Sequence, residues 1–359
     1  MFLRKMIIWI FICLFLSGCL EKKILDDINI QTLQAFDIGE KEGELLVTAV
    51  VPIYQADKTI SNEAFSAYAH LNRDAVRELQ KKSSDPIVTG SLEFVLYSEE
   101  IARQGIEDMF DALQRDASIG TGLFMAVNEG RALDMVKLDF GNRGTGAYFY
   151  NLVQHNVEQR DLPETNLHVF LNDYYKDGKD PTLPLLMHEG NKILIKGVAI
   201  FDGDKMVSSI PSEKLFYFKI LVDEYVNGIY STILPEGEYV SINSVNSNRN
   251  YHITWENETP TINIHLRVDG IIKEYGGDDK TDDQKATEIQ EAISKQLVSE
   301  STQLIKQFQE MKVDPLGLGY QVKSRKRGFD IKKWEDAMYS NVEVKVTADV
   351  RIIGTGIVE

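Results

Sequence analysis

Histidine and cysteine are the side chains that most often carry metal or nucleophilic chemistry, and their spacing in this chain suits neither. No pair of histidines forms an HExxH or HxH arrangement, and no histidine has a cysteine partner. A zinc site needs three or four such ligands that converge on one point. The sequence therefore predicts surface or core histidines rather than metal ligands. They are His70, His155, His168, His188, His252 and His265.

Residues 141–146, Gly-Asn-Arg-Gly-Thr-Gly, superficially suggest a phosphate-binding loop. They lack the spacing of both the GxGxxG loop and the P-loop, so a plain turn is the better interpretation. The chain also has no GxSxG nucleophile elbow. The paired acids Glu99 and Glu100 are better explained as residues at the start of a helix. We therefore expect that this protein is not an enzyme.

Cys19 has the surroundings of a lipid attachment site. Arg4 and Lys5 precede the apolar run 6–16, which ends in Leu16-Ser17-Gly18-Cys19. These eleven apolar residues suit a signal peptide and are too few to span a bilayer, which needs about 20. Small residues before a cysteine resemble the lipobox of bacterial lipoproteins. We predict that residues 1–18 are a signal peptide, and that Cys19 carries diacylglycerol and an N-acyl chain such as palmitate.

The charge of the mature chain indicates a tethered body rather than a membrane-binding surface. Two acyl chains supply the double signal that stable anchoring requires. Removal of Arg4 and Lys5 leaves 37 basic residues against 55 acidic ones, a net charge of −18. An anionic leaflet and nucleic acid both repel such a body. We expect an exported protein that is held at the membrane by its lipid, with no nucleic-acid partner and no cofactor.

The first half of the chain alternates between strand and helix patterns. Apolar spacing predicts strands over residues 28–37 and 45–54 and a helix over residues 64–82. Ser98, followed by two acids, is typical of a helix start. The pattern weakens between residues 151 and 190, where loop residues are frequent. This alternation indicates an α/β layer.

The second half is richer in strands. Residues 192–210 predict a hairpin around Asp202-Gly203-Asp204. A regular apolar stripe predicts a long helix from Asp282 or Asp283 to Met311, which Pro315 terminates. Residues 341–353 then predict a closing strand. Strands together with one long helix indicate an α+β arrangement.

These patterns predict a mixed α+β and α/β protein of several domains, because a single core seldom serves so long a chain. We place an N-terminal α/β domain at residues 19–190, which two subdomains could share, and a C-terminal α+β domain at residues 191–359. Helices pack on β-sheets in both, and the long C-terminal helix precedes the terminal strand.

A cluster of basic residues stands out in this acidic chain: Lys323, Arg325, Lys326 and Arg327, then Lys332 and Lys333. One interpretation is a solvated loop and helix face. The other is a contact with an acidic partner or with lipid head groups.

Four motifs occur in a fixed order along the mature chain. They are Gly-Val-Ala-Ile-Phe-Asp-Gly-Asp-Lys-Met-Val at 197–207, Asp-Pro-Leu-Gly-Leu-Gly at 314–319, a tryptophan segment at 334–339 and the strand at 342–354. Together with the lipobox and the acidic stretch after it, this order resembles the Ger(x)C family of spore germination lipoproteins. Its members are the C subunits of nutrient germinant receptors in spore-forming bacteria.

The resemblance implies a three-domain α/β lipoprotein on the outer face of the spore inner membrane. It also implies a non-enzymatic role beside an A subunit and an integral membrane B subunit in sensing germinants. The motif positions carried over as possible partner contacts are Gly197, Phe201, Asp314, Pro315, Gly317 and Trp334, together with Lys323, Arg325, Lys326 and Arg327.

Two other functions share the anchor and the acidity. A solute-binding lipoprotein of an ABC importer would need two doubly wound lobes with a central cleft. A membrane-tethered hydrolase would need a catalytic constellation. A binding lipoprotein should gain thermal stability with one ligand, whereas a receptor subunit that acts as a scaffold should not.

Overall fold

The N-terminal half is built around an eight-stranded sheet. The computed structural model describes residues 27–138, 140–190, 192–224, 228–235, 237–277 and 283–355. The strands of this sheet are β2 (Leu33–Ile38), β3 (Leu45–Tyr54), β4 (Ile60–Ala69), β6 (Phe94–Ser98), β7 (Phe124–Asn128), β8 (Thr182–Glu189), β9 (Lys192–Asp202) and β10 (Lys205–Pro211). The strand order is β10-β9-β8-β7-β6-β2-β3-β4, in which β2, β6, β7 and β8 run parallel and the outer strands pair antiparallel. A short parallel pair, β1 (Asn29–Ile30) and β5 (Ile87–Val88), lies beside it.

Helices cover both faces of this sheet, because its central strands are apolar on both sides. In β6, Phe94 and Leu96 enter one core while Val95 and Tyr97 enter the other. The second core holds α1 (Asn72–Gln80), α2 (Glu99–Gln104), α3 (Glu107–Arg115) and α6 (Leu167–Tyr174). The first core holds α4 (Ala132–Val136) and α5 (Thr145–Gln159).

The C-terminal half adds a four-stranded sheet that packs against the first core. Its order is β11-β12-β13-β14, antiparallel except for the parallel pair β13–β14. One long helix, α8, lies on it and buries Ile289, Ile293 and Leu297. The elements are α7 (Leu215–Val222), β11 (Gly228–Ile233), β12 (Tyr239–Glu256), β13 (Thr259–Tyr275), α8 (Asp283–Met311), α9 (Leu318–Arg325), α10 (Ile331–Lys333) and β14 (Glu343–Thr355).

Two buried charged side chains hydrogen-bond to the ends of helices that lie far from them in the sequence. The carboxylate of Asp37 accepts the N–H groups of Ala132 and Leu133, both at 2.8 Å, and so caps α4 from the end of β2. Lys219 of α7 is 3% exposed and donates to the carbonyls of Val157 and Arg160 at the end of α5. A cation at a helix C-terminus is favourable, so Lys219 joins the two halves at α5.

The predicted fold class is confirmed. The structure is a mixed protein with helices packed on several sheets, and its long helix precedes a terminal strand. The helix predicted over residues 64–82 is wrong in its first part, which belongs to β4, because only Asn72–Gln80 is helical. The weak pattern after residue 151 conceals α5 and α6. The second sheet and its single long helix differ from the second doubly wound lobe of a solute-binding protein.

The predicted boundary between residues 190 and 191 falls between β8, which ends at Glu189, and β9, which begins at Lys192. These strands pair antiparallel from Thr182–Ile200 to Glu189–Lys192, and β10 continues the same sheet. The eight-stranded sheet therefore ends at Pro211, after the proposed boundary. Division of the chain at residue 190 stays a prediction, as does the lipid on Cys19, which lies outside the described residues with the signal peptide.

Candidate functional site

Two predicted motifs lie close together where the C-terminal half contacts the loop before β8, residues 175–181, which follows α6. Asp314 and Trp334 line a cavity of about 320 Å³, which we call the junction cavity. It lies between the loop after α6, the β9–β10 turn and the segments on either side of α9. Its other lining residues are Tyr174, Lys176, Asp177, Gly178, Lys179, Asp180, Asp202, Gly203, Lys312, Glu335 and Tyr339.

Asp314 shapes the turn between α8 and α9. Its side chain is buried, and its two carboxylate oxygens accept the N–H groups of Leu318 at 2.9 Å and Gly319 at 2.7 Å. These N–H groups belong to the first residues of α9, where no preceding helical turn supplies a carbonyl acceptor. Gly317, with φ of 69°, lets the backbone make this turn. The motif residues Asp314 and Gly317 therefore serve backbone geometry.

Asp180 joins this turn to the N-terminal half. Its Oδ2 accepts the N–H of Asp314 at 2.6 Å, and its own N–H donates to the Asp314 carbonyl at 3.0 Å. Two carboxyl groups thus lie close together in a largely buried place. Burial raises the pKa of Asp314 to about 7 and that of Asp180 to about 6, because both ions lose water.

These raised pKa values predict a pH dependence of stability. The ordinary aspartate pKa is 3.8, so between about pH 4 and pH 7 the folded protein holds protons that the unfolded chain has released. The contribution of this pair to stability should therefore fall as the pH rises through that window. Chemical denaturation from pH 5 to pH 8 should show Asp180→Asn gaining stability relative to wild type. If the stability difference between the variant and wild type did not change with pH, this prediction would be contradicted. Glu42→Gln, in the exposed β2–β3 turn, is the control.

Two glycines allow close backbone packing at the junction cavity. Gly178 has φ of 74°, and a Cβ there would lie 2.7 Å from the Gly319 carbonyl carbon. A Cβ on Gly319 would lie 2.6 Å from Trp334 Nε1. The N–H of Tyr320 donates to the Gly178 carbonyl at 3.1 Å. The loop and α9 therefore pack backbone against backbone.

Trp334 lies at the centre of the packing around the junction cavity. It is 1% exposed and contacts Phe329 and Tyr339, with ring centroids 6.0 and 5.7 Å away. The Tyr339 hydroxyl donates to the Val313 carbonyl at 2.7 Å, next to the end of α8. Trp334 is therefore a buried structural residue, as its apolar environment requires.

The remaining motif residues lie apart from the junction cavity. Pro315 is buried in the turn after α8 and lines a separate, smaller cavity. Phe201 is fully buried in β9, and its ring packs edge to face with Phe170, with the ring centroids 5.6 Å apart. Gly197 lies opposite Pro211, where a Cβ would collide with the Ile210 carbonyl. Packing alone accounts for Gly197 and Phe201.

The basic cluster is only partly free to meet another molecule. Lys323 pairs with Asp177 of the loop before β8, and the Lys326 ammonium lies 4.3 Å from the centre of the Trp255 ring. Arg325 is exposed and bonds to Gln321 within its own helix, and Arg327 is exposed. Among residues 323–327, the exposed Arg325 and Arg327 are therefore best placed for a partner, and Lys332 and Lys333 further along are exposed as well.

Sequence reasoning missed the acid that completes this junction. The sequence around Asp180 and Gly178 predicts only a loop, because their contacts with residues 314–319 span well over 100 positions. In the loop 141–146, the N–H of Thr145 donates to Asn62 Oδ1 at 2.8 Å and is therefore engaged within the protein rather than free for a phosphate. Across the described residues, no group of three or more His, Cys, Asp or Glu could hold a metal ion.

Comparison with known proteins places the chain in a family. The spore germination protein N-terminal domain matches residues 21–187, and the C-terminal domain described as spore germination B3/GerAC like matches residues 196–356. The spore germination protein GerQC of Bacillus cereus is 27% identical over 99% of this chain and all of its own length. The putative spore germination protein YfkR of Bacillus subtilis (strain 168) is 23% identical over 98% and 97%.

A solved structure supports the fold. The crystal structure of the GerBC protein superposes with a TM-score of 0.60 at 16% identity, over 89% of this chain and 97% of that one. The two family models together span nearly all of the predicted mature chain. The chain therefore belongs to the GerAC-like family of spore germination proteins, the C subunits of germinant receptors.

Proposed function

We propose that this protein is the lipid-tethered C subunit of a spore nutrient germinant receptor, and that it acts by binding the A and B subunits rather than by catalysis. The match of both family models along the chain carries the proposal. The anchor would be the diacylglyceryl and N-acyl groups on Cys19. The place would be the outer face of the spore inner membrane.

None of the helices in the described part of the chain is long and apolar enough to cross a bilayer. The proposal therefore assigns membrane attachment to Cys19, where two acyl chains give stable binding.

Replacing Cys19 with alanine should release the protein from membranes. The variant should remain unprocessed or appear in the soluble fraction, because the peptidase requires the lipidated cysteine. Sedimentation of spore or cell membranes, followed by immunoblotting, measures this. Cys13→Ala is the matched control and should sediment like wild type. Normal cleavage and full membrane binding of the Cys19 variant would refute the anchor.

The non-enzymatic part of the proposal is supported by how the buried acids are used. Both oxygens of Asp314 accept backbone N–H groups, and Asp180 accepts the N–H of Asp314. Acids engaged in this way fix the chain and are poorly placed to transfer protons to a substrate.

The segment 314–339 is proposed as the docking surface for the other subunits. It carries the exposed Arg325 and Arg327 on a body of strongly negative net charge. Charges at the rim of an interface act mainly on association rate and on salt dependence. They change fold stability little, because exposed pairs contribute about 0–1 kcal/mol.

Reversal of Arg325 and Arg327 to glutamate should weaken recovery of the A and B subunits from spore membranes and slow germination by nutrients. The melting temperature should stay nearly unchanged. Lys323 and Lys326 are left in place because they contact Asp177 and Trp255. Arg73→Glu with Arg77→Glu, on the exposed side of α1, is the control with equal charge change. Wild-type recovery at every salt concentration would show that these arginines do not dock the partners.

A further inference from the structure

The four parallel strands of the large sheet begin at one edge, which we call the amino edge. The register of the antiparallel strands brings other segments to the same edge. Val50 of β3 pairs with Leu33 at the start of β2, so the β3–β4 hairpin tip after Tyr54 projects there. The turn between β9 and β10 follows the pairing of Ile200 with Thr182 at the start of β8 and lies there too.

The described chain also begins at the amino edge. Residues 27–32 lead directly into β2, and β1 pairs with β5 just before the edge of the sheet. The Glu93 N–H donates to the Thr32 carbonyl at 3.0 Å, which fixes the segment beside the start of β6. The lipid tether of the proposed function is therefore attached at this edge.

The length of that tether decides which edge can face the bilayer. Asp27 lies eight positions after Cys19, and eight fully extended residue-to-residue steps reach about 26–29 Å. The ten residues of β3 cross the sheet from edge to edge, and their nine residue-to-residue steps span about 30 Å. With the opposite edge on the membrane, the tether would have to span this distance, which exceeds its extended reach.

We propose that the amino edge faces the lipid bilayer, so that the protein stands on the membrane with the β2–β3 turn pointing away from it. The inference rests on the proposed lipid anchor. In this orientation the amino edge is covered by the lipid surface. The hairpin tip presents Tyr54, which is 72% exposed, and tyrosine suits the boundary between head groups and water.

This orientation gives the docking surface a place relative to the membrane. The N–H of Tyr320 in α9 donates to Gly178 in the loop before β8, and Lys323 pairs with Asp177 in the same loop. Helix α9 thus lies by the amino edge. The exposed Arg325 and Arg327 are carried close to the bilayer, where the outer surfaces of integral membrane partners lie.

Single thiols test the orientation directly. Cys13 and Cys19 are the two cysteines of the chain; the first leaves with the signal peptide and the second is acylated, so an added cysteine is uniquely reactive. Ala56→Cys and Ala117→Cys place a donor dye at exposed positions of the amino edge. Glu42→Cys and Glu189→Cys place it at exposed positions of the opposite edge and are the matched controls.

Each labelled lipoprotein would be reconstituted into phosphatidylcholine vesicles that carry a head-group acceptor dye, without other subunits. We expect energy transfer from positions 56 and 117 to be severalfold greater than from positions 42 and 189. Equal transfer from all four, or the reverse order, would overturn the orientation while the anchor still holds. Protein that fails to float with the vesicles would overturn the anchor, and the orientation with it.

Discussion

Trp334→Ala is expected to lower the free energy of unfolding by about 3–5 kcal/mol, the usual cost of removing a large buried aromatic side chain. The indole is 1% exposed and packs between Phe329 and Tyr339, so its loss leaves a cavity that its neighbours cannot fill. Gly319 lies against this ring and has no side chain that could extend into the space. Urea denaturation of the soluble protein from residue 20 onward measures the change. In spores, the variant should be less abundant.

Trp255→Ala is the control for the loss of tryptophan itself. Trp255 is only partly buried, and it contacts Phe329 at 5.8 Å and the Lys326 ammonium at 4.3 Å. Because part of its surface already meets water, we expect a clearly smaller loss of stability. Equal losses for the two variants would show that Trp334 is not the centre of the junction.

Gly178→Ala should destabilise the protein by about 2–5 kcal/mol, which combines the strain of a left-handed residue with overpacking. The φ of Gly178 is 74°, and its Cβ would lie within 2.8 Å of the Ile331 side chain and the Tyr320 N–H. Helix α9 would have to move away from the loop before β8. Thermal unfolding and limited proteolysis near residues 312–330 would detect the change.

Gly203→Ala separates the two contributions. Gly203 also has a left-handed φ, of 59°, but nothing lies within 4 Å of a Cβ there. Its replacement should cost only the strain, about 1–2 kcal/mol. If the two alanine variants were equally stable, the close packing of Gly178 against α9 would contribute nothing.

The long helix and the β9–β10 hairpin could be predicted because their signals are local. An apolar stripe and the Asp202-Gly203-Asp204 turn need no knowledge of distant residues. The helix predicted over residues 64–82 begins too early because Phe65 and Tyr68 happen to lie at helical spacing. In β4, Phe65, Ala67 and Ala69 face the core with the period of a strand.

Helix α5 could not be predicted from its apolar pattern, since only Thr145, Gly146, Phe149 and Val153 are buried along its length. The sequence marks Asp314, Gly317 and Trp334 as motif positions, but the structural reasons for these residue types are tertiary. Asp314 contacts Asp180, which lies 134 positions earlier, and residue 319 must be glycine because the Trp334 ring, 15 positions later, leaves no room for a Cβ. No spacing in the sequence reveals such contacts.

The pairing of β9 with β8 also sets an order of events during synthesis. The large sheet becomes complete when Pro211 has been made, yet Val198, Ile200 and Ile210 then lack the C-terminal elements that complete their core. Helix α8 is finished about 100 residues later, at Met311. At about 5–20 residues per second, this interval lasts roughly 5–20 s. During those seconds an apolar sheet face is incomplete, and aggregation competes with folding.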